Sequence, residues 1–231
     1  MEFRLLYEGR LLGASRTDSR AKIKHEIRRE FHPQLRQLWT THHGLDEYAR
    51  HKCGPWFQRE KPQERNPEAF NKMTNEQFRQ IGLRCISEKW ERGGFKFVPL
   101  ITEEVCDRCS LDILFLRPDE PRFIMQSGDL DARLKTLFDA LRIPKNTDET
   151  GGTGPQEDEH PFFVLLEDDK LISSVSVTTD RLLVLPHQRV VNANDVFLVI
   201  NVRMKPLFHG LATLYDRERM RQIEPQDLGK P

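Results

Sequence analysis

The sequence lacks any long apolar run. None approaches the roughly 20 residues that a helix needs to cross a bilayer, and no charged-then-apolar leader opens the chain. No membrane role is expected, and the expected compartment is the cytoplasm. Cysteine is scarce, with four residues at 53, 85, 106 and 109. Only Cys106 and Cys109 form Cys-x-x-Cys, whereas a zinc site would want a second close pair of Cys or His. Reduced thiols are therefore expected. Net charge is also missing: 36 Lys+Arg balance 36 Asp+Glu, so no overall field draws in a polyanion. No internal repeat is visible. The acidic motif described next has no histidine near it, which disfavours a catalytic triad or a histidine-dominated hydrolase.

What the chain does have is an uneven charge distribution and one informative stretch. Residues 1–100 hold 20 Lys+Arg against 13 Asp+Glu, and residues 101–231 hold 16 against 23. Residues 128–141 read Gly-Asp-Leu-Asp-Ala-Arg-Leu-Lys-Thr-Leu-Phe-Asp-Ala-Leu. Leu130, Leu134, Leu137, Phe138 and Leu141 recur at helical spacing and predict the buried stripe of an amphipathic helix. Asp131, Lys135 and Asp139 recur every four residues on a neighbouring stripe. Asp129 sits where an N-cap is expected, after Gly128, and the positive end of the helix favours a carboxylate there. A second acidic cluster, Glu167-Asp168-Asp169, follows the apolar run Phe162–Leu166. Adjacent carboxylates repel and call for a partner, which a bound cation supplies directly. Several oxygens beside a lysine suit a hard divalent ion such as Mg²⁺. Capping and surface ion pairs account for such spacing equally simply.

Together, Asp129-Leu130-Asp131, Lys135 four residues on, the Phe138-Asp139-Ala140-Leu141 ending and a later Asp168-Asp169 before a strand resemble the RusA family of Holliday-junction resolvases. The resemblance is strongest over residues 127–142 and extends over 165–203. It implies that Asp129, Asp131 and Asp169, with Asp168 adjacent, hold Mg²⁺ and that Lys135 assists catalysis. It further implies a homodimer acting on branched DNA, with no small-molecule cofactor. Two departures accompany it. Ala132 stands where the family usually has Asn, and residues 145–161 intervene where the family has a short link. Two other readings stand beside this one. One is a nuclease-derived module that binds nucleic acid or protein without catalysis. The other is a nuclease for flap or nicked DNA.

Elsewhere, Phe3–Tyr7 reads as an opening strand. A helix is expected from about Arg20 to Trp39, with Ile23, Ile27, Phe31, Leu35 and Leu38 buried and Pro33 kinking or interrupting it. Arg20, Lys24, Arg28 and Arg29 crowd its exposed side, either as a solvated face or as a strip that contacts phosphate. Residues 42–92 read as an insertion, although Glu76–Trp90 recovers a helical pattern. Residues 145–161 read as a mobile acidic loop too polar to pack, and 220–231 as a frayed tail. Strands are expected at 95–98, 111–116, 175–177 and 195–202. Val196–Ile200 is apolar throughout, as for a strand covered on both faces. The sum is one α+β domain over 1–231, a mixed sheet with two principal helices packed on it.

Overall fold

The computed structural model describes residues 1–13, 19–52, 72–104, 106–118, 129–183 and 194–206. The chain is α+β, and the described helices and strands are β1 (Glu2–Arg10), α1 (Ser19–Thr41), α2 (His43–His51), α3 (Asn75–Ser87), β2 (Glu91–Arg92), β3 (Phe95–Ile101), β4 (Cys106–Arg117), α4 (Asp129–Leu141), β5 (Phe162–Leu166), β6 (Ile172–Arg181) and β7 (Asp195–Pro206). Two mixed sheets result. The larger has the order β1-β7-β4-β6, with β6 parallel to β4 and the other pairs antiparallel. The smaller has the order β2-β3-β5, with β5 parallel to β3.

The long strands alternate as half-buried strands must. In β1, Leu5 and Tyr7 point inward; in β4, Leu111, Ile113 and Phe115; in β7, Val196, Leu198, Ile200 and Val202, all buried. Phe197 and Val199 of β7 are only half-buried on the opposite face. The apolar run that suggested cover on both faces is therefore one core-facing row interleaved with a partly exposed one.

Helix α1 supplies Ile27, Phe31, Leu35 and Trp39 to the core. It runs through Pro33 as one helix, because buried residues on both sides of the proline hold the two segments in line. Residues 42–92 are more integral than an insertion. Leu45 and Ala49 of α2 and Leu83 of α3 join the main core. A Cβ on Gly82 would sit 1.6 Å from the Ala49 carbonyl oxygen, so only glycine permits this crossing. Thr74 caps α3 reciprocally with Gln77, and Gly93 and Gly94 turn β2 into β3 at positive φ. The part of the expected insertion at 53–71, and the tail at 220–231, lie outside the described residues.

Sheet edges are managed by α1. Gln34 accepts from the Leu6 N–H at 2.9 Å and donates to the Leu6 carbonyl at 2.7 Å, closing the free edge of β1. His32 Nδ1 accepts from the Phe163 N–H at 2.9 Å, and the Ile143 N–H donates to the Leu166 carbonyl at 3.0 Å, covering the edge of β5.

Candidate functional site

Helix α4 packs as its spacing requires. Leu137, Ala140 and Leu141 are buried, with Leu130, Leu134 and Phe138 partly so. Asp131 and Lys135 stand exposed one turn apart near its start. Neither makes a hydrogen bond or ion pair with a described residue. The side chains of Asp129 and Arg20 lie outside the described part. Asp139 leaves the stripe: it is no surface acid, being bonded to Lys24 Nζ at 2.5 Å and to Arg142 Nη2 at 2.9 Å, with its side chain 13% exposed. Burial opposes its ionisation, but the two cations outweigh that and hold its carboxyl below the usual value.

The second acidic cluster is delivered by the fully buried strand β5. Asp168 caps the 3₁₀ turn at Asp169–Leu171 by accepting from the Lys170 N–H at 3.0 Å. That bond leads the lowering of its pKa, assisted by the charges of Lys145 and Lys170. Asp169 Oδ2 lies 4.0 Å from Arg142 Nε, past the C-terminal end of α4. Asp131 is eleven residues earlier, about 16 Å along a helix axis at 1.5 Å per residue.

The sheet separates them in the same sense. Arg133, beside Asp131, reaches Asn194 Oδ1 at 3.2 Å, just before β7 begins. Asp169 lies three residues before Ile172, which pairs through Cys109 with Met204 near the other end of β7. Ten residues of strand span about 33 Å. One copy therefore keeps Asp131 and the Asp168–Asp169 pair toward opposite ends of α4. Among the described residues no three His, Cys, Asp or Glu side chains gather as a metal ion's ligands. Of the four acids expected to hold Mg²⁺, Asp131 therefore lies apart from Asp168 and Asp169, and the side chain of Asp129 lies outside the described part.

The basic strip is corrected more sharply. Arg28 is buried at 1% exposure. Its guanidinium donates to the carbonyls of Asp139 (2.7 Å) and Arg142 (3.1 Å), which the end of α4 leaves without partners, and to that of Glu149 (2.9 Å). Burial lowers its pKa to about 10, so it stays charged at neutral pH. Arg29 binds Glu159, itself buried, at 2.6 Å, and Lys24 is the Asp139 partner. Three of the four residues proposed to meet phosphate are internal ties. The other ends of those ties include the segment 145–161, which is consequently packed and not a free loop. It carries 3₁₀ turns at Thr147–Thr150 and Glu157–Glu159, and Glu149 is held by Arg142 at 3.0 Å.

Arg142 was not singled out by the sequence. Its i,i+3 spacing from Asp139 was the readable signal, and its reach to Glu149 and Asp169 was not. A groove of about 800 Å³ lies elsewhere, lined by Pro33, Arg36, Trp39, Arg79 and Phe163 among others, and none of the acids of the motif borders it. Compared with models of known families, with curated proteins and with solved structures, the chain gives no match.

Proposed function

We propose that the chain is a Mg²⁺-dependent endonuclease for branched DNA, with Holliday junctions the preferred substrate. Its reacting end is the start of α4, and its second acidic cluster comes from a second copy. One observation carries this reading. Asp131 and Lys135 are exposed and unengaged by described residues, while Lys24, Arg28 and Arg29 of α1 and Asp139 and Arg142 at the end of α4 are held by internal partners. Exposed groups that no described residue engages are available to a ligand. Because Asp169 lies beside Arg142, past the other end of α4, a second protomer would present it to that ligand.

In this reading Asp129 and Asp131 of one copy, with Asp169 and the adjacent Asp168 of the other, would hold Mg²⁺. The ion, when bound, supplies Lewis acidity at a phosphoryl oxygen and acidifies a water. Lys135 is placed one turn from Asp131 and, as an exposed cation, would contact the phosphate as its negative charge grows. A homodimer then carries two such sites, one for each strand to be cut.

The test is complementation. Asp131→Asn and Asp169→Asn are each expected to abolish Mg²⁺-dependent cleavage of a four-way junction. Mixed and allowed to exchange, they regain about a quarter of wild-type activity, since half the dimers are mixed and each of those has one intact composite site. Failure to regain activity on mixing refutes the shared site. Undiminished cleavage by Asp131→Asn refutes the assignment altogether. Wild-type binding to branched DNA without any cleavage would instead mark a nuclease-derived binding module.

A further inference from the structure

We infer that β6 is an association edge, pairing antiparallel with β6 of a second copy to join the two four-stranded sheets into one of eight strands. As an account of how the second copy is held, this rests on the function proposed above. The tests below read association and not cleavage, so the two can fail separately.

The inference starts from an asymmetry between edges. Strand edges carry rows of unpaired N–H and C=O groups, and proteins blunt them with proline, lysine, bulges or a covering element. Here Gln34 closes β1, and His32 with Ile143 closes β5. Strand β6 is the other edge of the larger sheet, ten residues long, with no residue buried on either face. No described residue beyond β4 pairs with its backbone. A parallel strand is ordinarily covered on both faces, so this one is unusually open. Its sequence, Ile-Ser-Ser-Val-Ser-Val-Thr-Thr-Asp-Arg, is rich in β-branched residues and carries none of the usual protection before Asp180.

The occupant is a second copy because the strand complements itself. Val175 and Val177 pair with Leu111 and Ile113 and so lie on the core side, whereas Ser174, Ser176 and Thr178 pair with Ser110, Asp112 and Leu114 on the outer side. An antiparallel pairing centred on Ser176 sets Ser176 opposite its own copy and Val175 opposite Val177. It also sets Ser174 opposite Thr178. Apolar then meets apolar on one face and hydroxyl meets hydroxyl on the other, the cross-strand pairs that stabilise a sheet. Val175, 40% exposed in the single chain, is covered. No like charges oppose one another from Ile172 to Thr179. The same register sets Asp169 opposite Leu183 of the second copy. Leu182 binds the Arg117 carbonyl, at the end of the sheet that Arg133 of α4 reaches.

Sedimentation equilibrium of the full chain should show a dimer. Ser176→Lys, which opposes two ammonium groups at the two-fold axis, should be monomeric at concentrations where the wild type is dimeric, with an unchanged circular dichroism spectrum. Ser176→Cys should give a covalent dimer on mild oxidation, while Ser174→Cys and the wild type should not, because only residue 176 meets its own copy. A monomeric wild-type chain overturns the inference and leaves the edge to an extended segment of another protein. Equal crosslinking at 174 and 176 overturns the register. A dimer that survives Ser176→Lys unchanged places the interface elsewhere and overturns the proposal.

Discussion

Replacing Arg28 with Ala should destabilise the whole fold and not merely weaken contact with a polyanion. Its guanidinium serves three carbonyls, that of Arg142 buried and those of Asp139 and Glu149 partly buried, and lies 3.7 Å from the Glu149 carboxylate. Each acceptor left buried without a donor costs about 1–3 kcal/mol. Local relaxation and entry of water return part of that, so a loss of about 4 kcal/mol is expected, in the range for breaking a buried charged pair. For a chain of this size that corresponds to a fall of roughly 10 °C in Tm. Urea unfolding at pH 7 measures it, with Arg28→Met retaining the apolar stem but none of the hydrogen bonds. Arg28→Met should recover less than half of the loss, because packing is the smaller part. A change within about 0.5 kcal/mol for Arg28→Ala, the range of ordinary surface substitutions, would refute the reasoning and return Arg28 to the solvated face that its sequence neighbourhood suggests.

Other outcomes follow from the same contacts. Burial, with Arg28 and Arg29 nearby, lowers the His25 pKa to about 4, whereas in the unfolded chain it is near 6.5. Unfolding therefore takes up a proton between those values, and stability should be full above pH 6.5 and fall as pH drops toward 4. Urea midpoints at pH 7 and pH 5 should differ for this reason, and His25→Phe should reduce the difference. Lys135→Ala should leave Tm within a degree or two, since the side chain is exposed and engaged by no described residue, yet slow junction cleavage strongly; equal losses in both would make Lys135 structural. Gln34→Ala should open the β1 edge, and light scattering should show faster aggregation on heating than in the wild type.

The helices and strands were legible wherever periodicity was strong. The buried stripe of α4 and the alternating strands β4 and β7 follow from apolar spacing alone. Asp131 and Lys135 fall where the spacing predicts, near the start of α4. What spacing does not carry is the direction in which a second segment returns. Asp168 and Asp169 follow α4 in the chain by little more than two dozen residues, but β5 returns parallel to β3 and leaves them beside Arg142. Arg28 illustrates the complementary difficulty. A charged residue among basic neighbours reads as solvated, and its burial is decided by carbonyls more than a hundred residues away. The segment 145–161 hides its packing for the same reason, because its glycines and acids look unable to pack until the arginines of α1 are brought to it.

Helix α1 emerges from the ribosome well before the groups it binds: Asp139 lies 115 positions beyond Lys24, and Phe163 lies 131 beyond His32. At synthesis rates of about 5–20 residues per second, the helix waits on the order of 10 s for its partners. Throughout that interval its apolar stripe and its basic residues are both uncovered, in a nascent chain whose first hundred residues carry a surplus of seven positive charges. Contacts of such long range also make the final search slow. Expression yield should therefore depend on what shields residues 19–41 during synthesis, and truncations that end before residue 163 should accumulate as insoluble protein however favourable their local sequence.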